Sequence, residues 1–298
     1  MQLRKNFFWR LLIRDIRCDG VLARDIDPMQ RLEPFIFPTR HESVVYFRER
    51  LDVTHTLEYL REKNAGNPPQ KVTLFHVLLA AIVRTAALKP KLGRFVIGKR
   101  IYERNEMQIS FVVKKEFTES SRAFVVKETF LPTDTLLDVV ERVGASVARA
   151  REKGDTESEH LIRLFSRMPG WMITLVAGVL RLLDNLGLLP TSIVRADPFH
   201  TGAFVTNVGS IGVGAPYHHL YEWGTASVFV ALGKYADEWV LNEEGKPVKK
   251  TFVEVTFTVD ERIADGFYLA SAFQVFKRLM EQPEELEKPL AAGAGKDA

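Results

Sequence analysis

Near the end of the chain, charged residues are concentrated in a short segment between two apolar stretches. This segment, residues 260–266, reads Asp-Glu-Arg-Ile-Ala-Asp-Gly. The β-branched and aromatic residues of 252–259 predict a buried strand before it. Apolar residues at helical spacing predict a helix after it, which Pro283 ends. Charges this dense between two buried elements either turn a corner or line a site, and a carboxylate such as Glu261 can serve there as a general base.

Segment 260–266 resembles the end of the dihydrolipoamide acyltransferase catalytic domain, the core of 2-oxo acid dehydrogenase complexes. The family pattern there is Asp-His-Arg-x-x-Asp-Gly, followed by an apolar helix and a Pro-Glu-x-Leu ending. Every fixed point matches this chain except one, because Glu261 stands where the family has its catalytic histidine. The resemblance therefore implies an acyltransferase site with an altered base.

A second match lies at residues 203–212, Ala-Phe-Val-Thr-Asn-Val-Gly-Ser-Ile-Gly. These residues resemble the family's Phe-Thr-hydrophobic-Ser-Asn/Ser-Leu-Gly strand and turn. The serine hydroxyl of that motif is assigned to stabilising the tetrahedral intermediate, and Thr206 stands at its position and keeps the hydroxyl. The same match implies that Asn207 and Ser210 contact the substrate.

The resemblance covers about residues 38–289, and it implies the family's α/β fold. That fold is a two-layer sandwich of the chloramphenicol acetyltransferase-like type, with a mixed sheet and helices. It also implies a homotrimer, or a larger assembly of trimers, with active sites at subunit interfaces. Coenzyme A or an acyl-CoA is the expected substrate, and neither a metal nor a lipoyl domain is expected. The resemblance further implies a structural ion pair between Asp265 and Arg40, and Asp265 also stands where it could cap the last helix.

In the family, the catalytic histidine takes the proton of a thiol, and the thiol then attacks an acyl thioester. The replacement of this histidine by Glu261 changes the expected chemistry. The reference pKa is ~8.5 for a thiol, ~6.5 for imidazole and ~4.3 for an ordinary carboxylate. Proton transfer from the thiol is therefore unfavourable by about 2 pKa units to imidazole and by about 4 pKa units to the carboxylate. The difference is about 3 kcal/mol, which corresponds to about 100-fold in rate.

Three hypotheses follow from this difference. Glu261 is the base and burial raises its pKa, or His219, which closely follows the hydroxyl-bearing segment, supplies the base. His219 is equally well read as a loop histidine without a catalytic part. In the third hypothesis the site is inactive, and the fold serves as a trimeric scaffold or an acyl-ligand-binding module. The leading function is coenzyme A-dependent acyl transfer between a thioester and an unknown acceptor.

The composition excludes several other classes of protein. The net charge is +3, with 41 basic and 38 acidic residues, so no nucleic-acid partner is predicted. The single cysteine, Cys18, excludes an intramolecular disulfide, and no Cys/His cluster has zinc spacing. No secretory signal is recognisable, and a cytoplasmic location is therefore expected.

The residue pattern predicts three parts. Residues 1–36 form a basic amphipathic arm in which Arg10, Arg14 and Arg17 would share one helical face. The acyltransferase-like domain covers 37–290, and 291–298 form a flexible tail. The arm is interpreted as packing on its own domain or on a neighbouring subunit. The alternative is a helix that lies on an anionic membrane surface, at the inner face of the membrane.

An apolar helical insertion is predicted within the domain at about 157–196. Its run 171–183 is nearly all apolar and would span about 20 Å as a helix, which is short of the ~30 Å hydrocarbon core of a bilayer. It is therefore not a transmembrane helix. We rank the remaining interpretations as a buried helix, a subunit contact and an interfacial membrane helix, in that order.

Overall fold

The structure is a computed structural model that describes residues 15–114, 123–153 and 167–291. In these ranges the strands are β1 Gly20–Leu22, β2 Val44–Asp52, β3 Arg94–Ile97, β4 Arg100–Arg104, β5 Met107–Lys114, β6 Ala123–Phe130, β7 Ala203–Asn207, β8 Val228–Leu241 and β9 Pro247–Asp260. The α-helices are α1 Pro28–Ile36, α2 Thr54–Asn64, α3 Leu74–Leu88, α4 Leu136–Lys153, α5 Gly170–Asn185, α6 Thr191–Ala196 and α7 Gly266–Glu281.

Six of the strands form one mixed sheet in the order β2-β9-β8-β7-β5-β6. Strand β7 runs parallel to its two neighbours, β5 and β8, and the other pairs are antiparallel. Strands β1, β4 and β3 form a smaller antiparallel sheet. The parallel strand β7 ends at the hydroxyl-bearing segment, so the topology places that segment at the end of an interior strand of the main sheet.

The two faces of the sheet follow from the alternation along β9. Val255, Phe257 and Val259 belong to the main core, which α3, α4 and α7 cover. Thr256 and Thr258 point to the opposite face, where their hydroxyls donate to the backbone carbonyls of a loop. The period of two along the strand therefore gives each face its own covering layer.

That loop, residues 213–225, covers the second face. Phe204, Phe229 and Leu220 form a small separate core beneath it. The hydroxyl of Thr256 donates to the Pro216 carbonyl at 2.5 Å, which anchors the loop along β9. The loop thereby runs beside β9 from the level of Thr256 toward the end of that strand.

Residues 15–36 pack on the domain, as the first interpretation of the arm expects. Strand β1 pairs with β4, and Arg17 is buried between the carboxylates of Asp19 and Asp184, at 2.8 and 2.7 Å. Arg17 does not lie on the helix expected for it, and its charge is neutralised inside the protein. Arg10 and Arg14, like the tail beyond residue 291, lie outside the described residues.

Helix α5 differs from its expected environment. Apart from Asp184 its residues are not buried, and large apolar side chains such as Trp171, Leu175 and Leu182 are exposed. The buried helix that we ranked first is therefore wrong, because large apolar side chains of α5 reach solvent and Asp184 is its one buried residue. No helix in the described parts of the chain is long and apolar enough to cross a membrane.

Asp184 joins α5 to a buried histidine. His200 contacts Asp184 through Nε2 at 3.1 Å and Asp197 through Nδ1 at 2.7 Å, and Trp223 Nε1 donates to Asp197 at 2.5 Å. Burial alone would lower the pKa of His200, but the hydrogen bonds and charges of the two carboxylates raise it above its ordinary value. The imidazolium thus helps to hold α5 against the approach to β7.

This network makes stability depend on pH. The pKa of His200 is higher in the folded than in the unfolded chain, so its contribution is complete below about pH 6.5 and is lost as the pH rises through the folded value. We expect His200→Gln to cost about 1–3 kcal/mol at pH 5.5 and less at pH 9, measured by urea unfolding. A cost that is equal at both pH values would contradict a charged His200.

Candidate functional site

Three of the predicted site residues lie together at the end of β7. Thr206 and Asn207 are its last residues, and Ser210 follows in a 3₁₀ turn, Gly209–Ile211. The Asn207 side-chain oxygen accepts the Ser210 N–H at 3.2 Å, and the Ser210 hydroxyl donates to the Asn207 carbonyl at 2.8 Å. These bonds fix the turn, so Asn207 and Ser210 shape the end of the strand on which Thr206 lies.

Glycines allow this turn to pack tightly. A Cβ on Gly209 would lie 2.2 Å from the carbonyl oxygen of Gly233 on β8, so the two backbones touch directly. Gly212 closes the turn with φ of +79°, a conformation that favours glycine. The glycines of the motif therefore serve the backbone geometry beside Thr206.

A groove of about 850 Å³ opens beside this turn. Thr206, Asn207 and Ser210 line it together with the start of α3, including Thr73 and His76. His76 Nδ1 accepts the Thr73 N–H at 3.1 Å, and burial lowers the pKa of His76 to about 4. A neutral histidine thus lines the same groove as Thr206. The apolar pattern of α3 hides this placement, because it indicates only a core position for His76.

Glu261 lies elsewhere, at the corner between β9 and α7. Its backbone N–H donates to the Ser43 carbonyl at 2.9 Å, which ties the corner to the start of β2. The adjacent Arg262 is fully engaged by Asp260, with Nε–Oδ1 at 2.8 Å and Nη2–Oδ2 at 2.7 Å. The carboxylate that Arg262 pairs with is therefore Asp260, while Glu261 remains partly exposed.

A second carboxyl group faces this corner. Burial, followed by the negative charges of Glu261 and Asp260, raises the pKa of Glu33 on α1. The Oε2 atom of Glu33 is buried and has no hydrogen-bond partner. Sequence reasoning missed this residue, because nothing in the pattern of α1 indicates that it packs against a corner at the other end of the chain.

His219 lies on the loop-covered face of the sheet. It is exposed, and its ring stacks on those of His218 and His41 at 4.8 and 5.5 Å between centroids. His41 is two residues before Ser43, whose carbonyl accepts the Glu261 N–H. His219 is therefore tied to the segment that anchors Glu261, and it does not line the Thr206 groove.

The strand register separates Glu261 from Thr206. Thr206 pairs with Ala231 on β8, which pairs in turn with Thr256 on β9. From Thr256 to Glu261 the chain advances five residues, about 16 Å along the strand, and the two strand spacings add about 10 Å across the sheet. The two residues of one chain therefore cannot contact the same reacting group.

The predicted ion pair between Asp265 and Arg40 is wrong. Asp265 is exposed and caps α7, accepting the Tyr268 N–H at 2.9 Å, which confirms the capping interpretation. Arg40 is buried and donates to the backbone carbonyls of Tyr221, Glu222 and Val96. The buried ion pair of this corner is formed by Asp260 and Arg262, because Asp265 points outward at the start of the helix.

A polar pocket of about 430 Å³ adjoins the same corner. Arg40, Lys99 and Arg181 line it together with Asp184 and Glu222. Basic side chains at this density suit phosphate groups. Among the described residues, no group of three His, Cys, Asp or Glu side chains is arranged to hold a metal ion.

Comparison with known proteins connects this geometry to a family. Residues 194–287 match the model of the family described as 2-oxoacid dehydrogenases acyltransferase (catalytic domain). This range contains both the Thr206 segment and the Glu261 corner. No curated protein sequence is significantly similar to the chain.

Solved structures of acyltransferase cores resemble most of the chain. The dihydrolipoamide acetyltransferase of Azotobacter vinelandii is 15% identical, with a TM-score of 0.57 over 89% of this chain and 94% of that one. A cubic core of the pyruvate dehydrogenase multienzyme complex gives the same values.

A truncated catalytic core of a 2-oxoacid dehydrogenase complex from Thermoplasma acidophilum is 16% identical, with a TM-score of 0.51 over 88% of this chain and 98% of that one. The predicted fold class is confirmed by these likenesses. Residues 194–287 thus match the acyltransferase catalytic-domain family of the 2-oxoacid dehydrogenases, and the chain has the fold of those catalytic cores.

Proposed function

We propose that this protein is a coenzyme A-dependent acyltransferase that moves an acyl group between a thioester and an acceptor, and that it works as a homotrimer. The observation that carries the proposal is the family match over residues 194–287, which includes the Thr206 segment and the Glu261 corner. The separation of Glu261 from Thr206 in one chain supports a site built from two chains. Each subunit interface would then combine the corner of one copy with the groove of the next.

In this proposal the two halves have different roles. Glu261 takes the proton of the attacking thiol, and the carboxyl of Glu33 beside it adds a second proton-binding group to the corner. Thr206 donates its hydroxyl to the oxyanion that forms when the thiolate attacks the thioester carbonyl. The turn made by Asn207 and Ser210 fixes the end of the strand that carries that hydroxyl.

Coenzyme A would bind through its phosphates. The polar pocket lined by Arg40, Lys99 and Arg181 adjoins the Glu261 corner, and the guanidinium Nε of Arg40 is buried without a hydrogen-bond partner. A phosphate oxygen is a suitable acceptor for it. The thiol end of the same molecule could then extend toward Glu261.

Subunit contacts are proposed at two exposed apolar surfaces. The hairpin of β8 and β9 extends beyond the main sheet and exposes Tyr235, Trp239 and Leu241, and Trp239 is 73% exposed. The exposed side of α5 is the second surface. Large apolar patches of this kind mark protein or membrane contacts. We propose a subunit contact for α5, with an interfacial membrane position as the alternative.

The base is tested by restoring the family's residue. We expect Glu261→Gln to abolish most acyl transfer from acetyl-CoA to dihydrolipoamide, and Glu261→His to retain or increase it by up to about 100-fold. The measurement is release of the free coenzyme A thiol over a range of pH. Circular dichroism of both variants provides the control for folding.

The inactive alternative predicts a different result. If the wild-type protein neither binds nor uses acetyl-CoA, and Glu261→His does not create transfer, the proposed enzyme activity is wrong. The trimeric scaffold or acyl-ligand-binding module then replaces it. If activity survives Glu261→Gln but is lost in His219→Gln, the base is His219 instead.

A further inference from the structure

A partly open apolar cavity has a wall that reaches Val259, two residues before Glu261. It has a volume of about 300 Å³ and lies between the helix-covered face of the sheet and helices α3 and α7. The apolar part of its wall includes Ile82, Val230, Phe257, Leu269 and Ala272. Neither Glu261 nor Thr206 lines it. This space is about twice the ~150 Å³ of an engineered apolar cavity that binds benzene.

Two buried polar atoms on the wall of this cavity have no partner. The hydroxyl oxygen of Thr85 on α3 makes no hydrogen bond, and Thr85 is only 4% exposed. The Nε atom of Arg104, at the end of β4, is also buried and unpaired. Buried polar groups are normally hydrogen-bonded, so two unpaired groups on one cavity wall indicate a missing ligand atom.

Arg104 brings a positive charge to this wall. Its Nη2 donates to the Thr225 carbonyl at 2.8 Å, and both terminal nitrogens contact the Thr225 hydroxyl at 3.2 Å. Its guanidinium lies 4.5 Å from the ring centroid of Phe95. In the described part of the chain no carboxylate forms an ion pair with it.

The charges around Arg104 leave it cationic. Burial lowers the pKa of Arg104 to about 10, the charge of Asp19 opposes this shift, and Arg17 and Arg40 add to it. Glu106, the acidic residue on the cavity wall, accepts a hydrogen bond from Gln108 Nε2 at 2.9 Å. A half-buried guanidinium in a cationic neighbourhood, with its buried Nε atom unpaired, favours an anionic ligand.

We propose that this cavity binds a straight-chain fatty carboxylate of about eight to twelve carbons. The chain length follows from the volume, because a cavity of half this volume holds the six carbons of benzene. The hydrocarbon chain lies between α3 and α7. The carboxylate accepts hydrogen bonds from Arg104 Nε and the Thr85 hydroxyl. This inference goes beyond the proposed acyl transfer and is independent of it, because the two sites share no catalytic residue.

The test is calorimetric titration of the full chain with decanoate. We expect saturable binding of one molecule to the wild-type protein. Ala272→Leu, which adds three carbons to the cavity wall, should weaken binding at least about tenfold. The matched control is Ala270→Leu, the same change at an exposed position of the same helix, and it should bind as the wild type does.

The polar end is tested with the same probe and with uncharged 1-decanol. Arg104→Met should weaken decanoate binding by about 10- to 100-fold while changing decanol binding little. Thr85→Val keeps the shape of the side chain and should weaken decanoate binding by a smaller factor, which provides the test if Arg104→Met does not fold. The proposal is overturned if wild-type protein does not bind 1 mM decanoate, if Ala272→Leu binds as well as Ala270→Leu, or if neither polar variant separates decanoate from decanol.

Discussion

Replacing Asp260 by asparagine should lower the free energy of unfolding by about 3–5 kcal/mol. Asp260 is fully buried and its carboxylate accepts two hydrogen bonds from the guanidinium of Arg262 and one from the Arg262 backbone N–H, and Arg262 is itself 2% exposed. Its Oδ1 atom also accepts the Ser43 hydroxyl at 3.1 Å. An amide cannot neutralise the guanidinium, so a buried charge would be left without compensation. Urea unfolding at neutral pH measures the loss.

The matched control is an exposed pair on the same strand. Glu254 forms an ion pair with Arg48 across β9 and β2, and both side chains reach solvent. Glu254→Gln should therefore cost less than about 1 kcal/mol. Equal denaturation midpoints for Asp260→Asn and Glu254→Gln would contradict the assignment of Asp260 and Arg262 as the pair that holds the corner.

The sequence predicts this corner but not the pairing within it. Asp260 and Asp265 flank Glu261, and spacing alone does not tell which carboxylate points inward. The direction is set by the 3₁₀ turn at Glu261–Ile263, which aims Arg262 back along β9 toward Asp260. Asp265 comes after the turn and is left to cap α7. The ion pair expected for Arg40 fails for this reason.

Periodicity predicts elements well where one face is buried. The apolar spacing from Leu136 predicts a long helix, and α4 occupies Leu136–Lys153. Helix α5 is the opposite case, since its apolar composition indicates burial while the single chain leaves those side chains exposed. An apolar composition indicates that a surface is buried, but it does not show whether the same chain or another molecule buries it.

The candidate site divides in the same way. Thr206, Asn207 and Ser210 are close in sequence, so a local motif suffices to place them together in one groove. Glu33 and His76 reach the two halves of the site through tertiary contacts, which no local pattern encodes. Only the structure reveals them: Glu33 has a buried carboxyl oxygen without a hydrogen-bond partner, and burial keeps His76 neutral.

The separation of Glu261 from Thr206 gives the second large expected effect. Thr206→Val should lower acyl transfer by about 10²–10³-fold, since the variant keeps the shape of the side chain and loses the hydroxyl aimed at the oxyanion. Glu261→Gln should also be nearly inactive. Because the two changes affect opposite halves of a shared site, a mixed trimer can contain one intact interface.

Co-expression of the two variants, each with its own affinity tag, tests this arrangement. Every doubly tagged trimer contains both variants, so it has an intact pair of Glu261 and Thr206 at about one of its three interfaces and should recover activity far above either variant alone. The control is the double variant Thr206→Val/Glu261→Gln co-expressed with itself, which has no intact interface and should stay inactive. Light scattering that shows a monomer, or mixed oligomers no more active than the single variants, would contradict a site formed between chains. Recovery in the mixture alone would mean that each chain contributes its base to the groove of a neighbour.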